Sequence, residues 1–401
     1  MVNDDVTDMS SRLGTSRMMN FAILTAAAFL AATLILHVVS IGIALVRCRA
    51  RTQLMPGPDK APAISLIRPV CGLDNFVEAT LASSFELDYP DYEVIFCAAH
   101  ARDPVVPVVQ RLISAHPDAR ARLLIGDERI SANPKLNNCF KGWNAAEHEW
   151  IVLADSNVLM PRDYLTRLMA TWRDDTGLVC SPPSGSCPQG FWAEVECAFL
   201  NAHQARWQYV SDTIGNGFAQ GKTMLWRRDI LENAGGIRLL GLEVAEDAAS
   251  TKVVRGAGLR VRLPDAPFPQ PLGRRTALDI WRRQVRWAQL RRASFPSVYA
   301  PEIFAGAHWP LAAAGFLAAQ AELPVAASVL ALATLWYGAE MVLARVAGWP
   351  LSVVYPAYAI TRDLMLPVLW INGWLGSDFV WRGNPMSSVS SSEPGQEATH
   401  T

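Results

Sequence analysis

Trp150-Ile151-Val152-Leu153-Ala154-Asp155-Ser156-Asn157 is the stretch that decides the fold. Five apolar residues run without interruption into three polar ones. A short aliphatic run of this kind reads as a strand buried on both faces, as in a parallel sheet. Three similar runs lie upstream: Ala63 to Arg68, Tyr92 to Cys97 and Arg122 to Ile125. Helical stretches are expected between them, near 75–85, 104–116 and 135–147. Strand and helix alternating in this way predict an α/β domain with a mostly parallel sheet. Such sheets bind ligands at the carboxyl ends of their strands. Asp155 therefore stands where a ligand is expected. An acid there can hold a divalent cation that grips a diphosphate, or it can simply cap the next turn.

Further along the chain, Glu246-Asp247 suits a helix start, where acids are favoured by the dipole. It also suits a general base acting on an acceptor hydroxyl. Between Arg274 and Arg292 stand seven arginines (274, 275, 282, 283, 286, 291 and 292) against one acid, Asp279. On a helix, Arg283, Arg286 and Trp287 share a face through i, i+3 and i+4 spacing. Arginine grips phosphate with two donors, and tryptophan offers a flat surface to sugar or lipid. The same helix can lie on anionic headgroups. Gly217-Phe218-Ala219-Gln220-Gly221-Lys222-Thr223 imitates a P-loop but has three residues between its glycines, where four are required, so ATP hydrolysis is not expected.

The whole chain has 401 residues, 51% apolar and 18% charged, with a net charge of −1. That balance excludes a strongly basic nucleic-acid binder and a highly charged disordered protein. The apolar residues are clustered. Phe21 to Val46 has no charged residue, is long enough to cross a bilayer, and outruns a signal-peptide core. Arg47, Arg49 and Arg51 follow it; Asp4, Asp5 and Asp8, with Arg12 and Arg17, precede it. The basic side is expected in the cytoplasm. Phe304 to Ala321 and Leu323 to Leu343 read as two spans or a helical hairpin. Leu351 to Leu375 is a weaker third segment, in which Arg362 and Asp363 either pair within the membrane or lie at its surface. Seven cysteines without a C-x-x-C pair point to free thiols rather than zinc.

Several stretches together carry a family resemblance. They are Phe85-Glu86-Leu87-Asp88-Tyr89-Pro90, Asn133-Pro134-Lys135-Leu136-Asn137-Asn138, Asp155-Ser156-Asn157, Gln189-Gly190-Phe191, Ala245-Glu246-Asp247 and Arg283-x-x-Arg286-Trp287. In this order and spacing the chain resembles the ceramide glucosyltransferase family, from about Ile64 to Phe295 with the flanking spans. The resemblance implies an α/β fold of the GT-A type, a Rossmann-like and mostly parallel sheet, in a cytoplasmic catalytic domain with transmembrane helices at both ends. It implies an N-terminal tail 1–20, a span 21–46, a catalytic domain 61–300 including a basic interfacial helix 276–292, membrane segments 303–376 and a disordered tail 384–401.

The implied activity is inverting transfer of glucose or a related hexose from a UDP-sugar to ceramide at a bilayer, with a divalent metal (Mg or Mn). The expected location is a bacterial inner membrane. By the same resemblance Asp103 contacts the donor nucleotide, although His100 competes for that position. Lys135 and Asn138 lie beside the donor, Asp155 holds the metal, and Asp247 is the base. Arg283, Arg286 and Trp287 close over donor and acceptor. His203, within Asn201-Ala202-His203-Gln204-Ala205-Arg206-Trp207, also matches a family position and joins the site. Asn157 replaces a second acid and removes one carboxylate from the metal site. Rival readings are transfer to diacylglycerol or a hopanoid, including transfer of N-acetylglucosamine, a processive polysaccharide synthase, and a non-catalytic membrane scaffold.

Overall fold

A computed structural model describes residues 2–51, 53–57, 60–376, 378–381 and 384–387. Its centre is a seven-stranded sheet. In chain order the strands are β1 (Ile64–Pro69), β2 (Tyr92–Ala98), β3 (Ala121–Ile125), β4 (Trp150–Ala154), β5 (Thr176–Cys180), β6 (Pro183–Gln189), β7 (Thr223–Arg227), β8 (Arg260–Arg262) and β9 (Phe268–Arg274). The sheet order is β3-β2-β1-β4-β7-β5-β8, and β6 pairs with β9 in a separate parallel ribbon. Strands β1 to β4 are parallel neighbours. Only β7 opposes the others, antiparallel to both β4 and β5.

Strands β1 and β5 are buried along their whole length and β4 from Ile151 onward, as expected for a sheet covered on both faces. The Pro134–Ala145 helix packs on β1 and β2. Gly142 permits that approach: a Cβ there would sit 2.5 Å from the Ile67 side chain. Arg68, fully buried on β1, spends its guanidinium on the Ser84 hydroxyl (3.0 Å) and on the carbonyls of Thr80, Ser156 and Val158 (3.2 Å each). It thereby pins the turn that follows β4.

The N-terminal helix runs unbroken from Val2 to Arg47, so residues 2–20 of the expected tail are helical and continuous with the apolar segment that follows. Among the described residues two helices are long and apolar enough to cross a membrane, Arg17–Arg47 and Val325–Ala347. Large apolar side chains such as Phe21, Leu24, Leu330 and Leu335 point outward from them. Between Phe304 and Ala321 only His308–Gln320 is helical, 13 residues or about 20 Å. That is shorter than a hydrocarbon core, and the helix folds back on Val325–Ala347 through a turn in which Glu322 has a φ of 58°.

Arg362 and Asp363 sit inside the Tyr355–Leu375 helix and are buried. Arg362 meets Asp363 at 2.8 Å and the fully buried Glu340 at 3.0 Å, and Arg206 approaches Glu340 at 3.5 Å. Pairing offsets part of the penalty that an isolated charge would carry there.

Among the described residues, which include all seven cysteines, there is no disulfide. Asn384–Ser387, expected to begin the disordered tail, instead pairs as a short strand with Asp378–Trp381. The rest of that expected tail, 388–401, lies outside the described residues.

Candidate active site

Asp155 leaves the carboxyl end of β4, and its amide donates to the Lys222 carbonyl at 3.0 Å. The first pair of the antiparallel β4–β7 ladder is Ala154 with Thr223, so Lys222 stands directly across from Asp155. The Lys222 ammonium donates to Asp155 Oδ2 (2.8 Å) and Asn157 Oδ1 (3.1 Å). The second Asp155 oxygen takes Lys135 Nζ at 2.7 Å.

Lys135 is delivered by the start of the Pro134–Ala145 helix. Asn133 caps that helix, accepting from the amides of Lys135 (3.0 Å) and Leu136 (3.2 Å), and Pro134 presets the first turn. The Asn133 amide nitrogen also donates to Glu246 Oε2 at 2.8 Å. Lys135 Nζ reaches Glu246 Oε1 (2.6 Å) and the Gly221 carbonyl (2.5 Å) as well as Asp155. Gly221 fits between them because it lacks a side chain; a Cβ would lie 2.6 Å from Glu246. Its amide donates to Asp247 Oδ2 at 3.1 Å, and the Ala248 amide donates to Oδ1 at 2.8 Å.

The two aspartates have opposite electrostatics. Burial opposes the charge on Asp155, but Lys135 and Lys222 outweigh it and hold the carboxyl well below its usual range. Burial, then the like charge of Glu246, pushes the Asp247 carboxyl up to about 6, against the pull of Lys135 and the two amides. Asp247 is thus mostly ionised at neutral pH and basic enough to take a proton.

Arg283 pairs with the buried Glu196 of the Phe191–Ala198 helix, and its charge is felt at Lys222. Arg275 joins the same group, 3.6 Å from Glu196 and 3.2 Å from Asp74. These arginines belong to the Ala277–Ser294 helix and the segment before it, where Thr276 and Asp279 form a reciprocal cap. Trp287 packs beside Cys197, Leu200 and Leu272, and Arg286 stands one residue before it on the same helix.

The remaining expected residues lie outside this cluster. Asp103 turns its carboxylate to the amides of Gly72 (2.9 Å) and Val105 (2.9 Å), in a cleft after β2 that His100 also lines. Asn138 lies one turn beyond Lys135, with its Oδ1 3.4 Å from Lys141, which ties together the Ala98 and Gly126 carbonyls. His203 lies in a π-helical turn, Phe199–Ala205. It lines a different pocket with Gln204, Gln284, Arg291, Leu366 and Trp370. Burial, helped by Arg362, Arg206 and Arg291, keeps it well below its usual pKa and so neutral.

Lys222, Gly221, Asn133 and Glu196 are site residues that the sequence did not single out. For Lys222 the signal was there: the Gly221-Lys222-Thr223 end of the P-loop imitation leads directly into the apolar run Met224-Leu225-Trp226.

A divalent metal finds few donors here. Among the described residues no three carboxylate, imidazole or thiol groups converge on one point. Both Asp155 oxygens already take ammonium groups, and Asn157 supplies a neutral oxygen to one of them. This set does not fit a resident divalent cation as it is arranged.

Comparison with known proteins gives the site a context. Residues 32–392 match the profile of glycosyl transferase family 21. Ceramide glucosyltransferase 1 of Caenorhabditis elegans is 27% identical over 276 residues, 68% of this chain and 59% of the relative. Ceramide glucosyltransferase of Komagataella phaffii is 34% identical over 122 residues, 29% of this chain and 24% of the relative. The chain thus spans less than two thirds of the length of either relative. Among solved structures, the mannosyltransferase PcManGT from Pyrobaculum calidifontis, in complex with GDP-Man and Mn2+, aligns over 87% of this chain and 98% of its own, at 20% identity and a TM-score of 0.47.

Proposed function

The chain belongs to glycosyl transferase family 21, and on that premise we propose that it is a membrane-bound inverting glycosyltransferase moving glucose or a related hexose from a UDP-sugar to the hydroxyl of ceramide. The observation that carries this reading is the junction of Asp155, Lys135 and Asp247 at the carboxyl ends of a mostly parallel sheet. That sheet is attached to helices whose apolar faces point outward. Such a site meets a water-soluble donor on one side and a lipid acceptor on the other.

In this mechanism Asp247 accepts the proton of the lipid hydroxyl as its oxygen attacks the anomeric carbon. The Gly221 and Ala248 amides hold the carboxylate in place. The diphosphate leaves from the opposite face, so an α-linked donor gives a β-linked product. Negative charge grows on the leaving oxygen, and preorganised cations are the largest help available there. Lys135, anchored from three sides, and Arg283 with Arg286 serve that role. Trp287 and the pocket around His203 border the acceptor, and Asp103 with Asn138 border the nucleotide. A divalent cation (Mg or Mn) is compatible with this chemistry only if Lys222 leaves Asp155.

The arginines after the first span support a catalytic domain on the cytoplasmic face, where nucleotide sugars are found, and the membrane in this reading is a bacterial inner membrane. The test is incubation of the purified protein in lipid with a panel of UDP-sugars and acceptors, read by mass spectrometry. A β-hexosylceramide is expected. Product on diacylglycerol or a hopanoid, with none on ceramide, rejects the acceptor.

A further inference from the structure

We propose that Lys222 is the built-in cation of the donor site: it stands where a divalent metal would bind Asp155 and itself neutralises the donor diphosphate. The proposal rests on the glycosyl-transfer reading and adds to it how the leaving group is stabilised.

Three observations carry it. The first is position. Lys222 is fixed across from Asp155 by the β4–β7 ladder and by the 3.0 Å bond from the Asp155 amide to its own carbonyl. Its backbone is therefore held at the strand end, with Asp155 within reach of its flexible side chain.

The second is the donor count of the two lysines. An ammonium has three N–H groups. Lys135 uses three acceptors: Asp155, Glu246 and the Gly221 carbonyl. Lys222 uses two among the described residues, Asp155 and Asn157. It keeps one N–H for a ligand, and its side chain, like that of Asp155, is not sealed from solvent, at 17% and 19% exposure.

The third is the chemistry at position 157. An amide oxygen there accepts from an ammonium and brings no charge of its own. A second carboxylate at that point would favour a dication; the asparagine favours the lysine.

The ammonium thus turns from Asp155 toward the diphosphate when donor enters and returns when UDP leaves. Charge is delivered without loss of a metal at each turnover, and Asp155 acts as the resting partner that keeps Lys222 in place.

The test is UDP binding to the full-length protein in detergent, by calorimetry, in EDTA and in added Mg or Mn. The wild-type protein is expected to bind UDP equally well in both. Lys222→Met should lose at least about tenfold in EDTA, the scale of one charged hydrogen bond, and recover in part with metal, which can then reach Asp155. Lys222→Arg should retain binding in EDTA, which separates loss of charge from loss of fold. Wild-type binding that disappears in EDTA overturns the proposal, as does Lys222→Met binding as tightly as wild type, or Lys222→Arg failing like Lys222→Met. Absence of UDP binding by the wild-type protein in every condition overturns the donor reading itself, and this proposal with it.

Discussion

The Lys135 ammonium lies 2.6 Å from Glu246, an acid 111 residues further along the chain and immediately before Asp247. This pair links the diphosphate end of the proposed site to the base. It also distinguishes two adjacent acids: Glu246 is paired with the Lys135 cation and accepts from the Asn133 amide, while among the described residues the Asp247 carboxylate accepts from two backbone amides.

Replacing Asp247 with Asn should keep nucleotide binding and lower turnover by roughly 10²–10⁴-fold, the usual range for a general base. Product formation and UDP binding measured on the same preparation check this. Near-normal turnover rejects Asp247 as the base.

The acid limb of the pH–rate profile should report the same carboxyl. With its pKa near 6, Asp247 is protonated and inactive as pH falls below that value, and activity rises to a plateau above it. Glu246→Gln removes the like charge that raises this pKa, so the limb should move toward lower pH. An unmoved limb would mean that another group titrates there.

Asn133 is a cap and a bridge at once. Asn133→Ala removes the acceptor for two helix amides, worth about 1 kcal/mol, and frees Glu246 from one of its donors. Thermal melting should fall modestly. UDP affinity should fall as well, because Lys135 is no longer held by an anchored acid. Lower melting with unchanged affinity would confine Asn133 to a structural role.

The buried pair of Arg362 and Glu340 predicts a larger effect. Arg362→Met leaves Asp363 without this counter-charge and Glu340 with the more distant Arg206, and should destabilise the protein by about 3–5 kcal/mol. Adding Glu340→Gln should recover part of that loss. Melting in detergent micelles tests both variants, and a single variant as stable as wild type would show the pair to be dispensable.

Much of the fold is legible along the chain. Trp150–Ala154 shows its burial on both faces in an unbroken apolar run, and its polar sequel marks a strand end. The opposed strand β7 is not legible, since Thr223–Arg227 is as apolar as its neighbours and direction leaves no trace in composition. The position of Lys222 follows from that direction: a parallel strand would have carried the lysine to the amino ends of its neighbours. His203 shows the converse, because a motif match identified the residue but not the separate pocket it lines.

The sequence by itself determined the alternation of strand and helix, the apolar segments at both ends, and the order of Asp155, Asp247 and the arginine helix. These are local properties, written in periodicity and in short motifs. Only the tertiary structure decided which charges face one another: Lys222 with Asp155, Lys135 with Glu246, Arg283 with Glu196, and Arg362 with Glu340. The reason is physical. A buried charge is stable only beside its partner, and that partner comes from a distant element whose approach is set by packing, not by neighbouring residues.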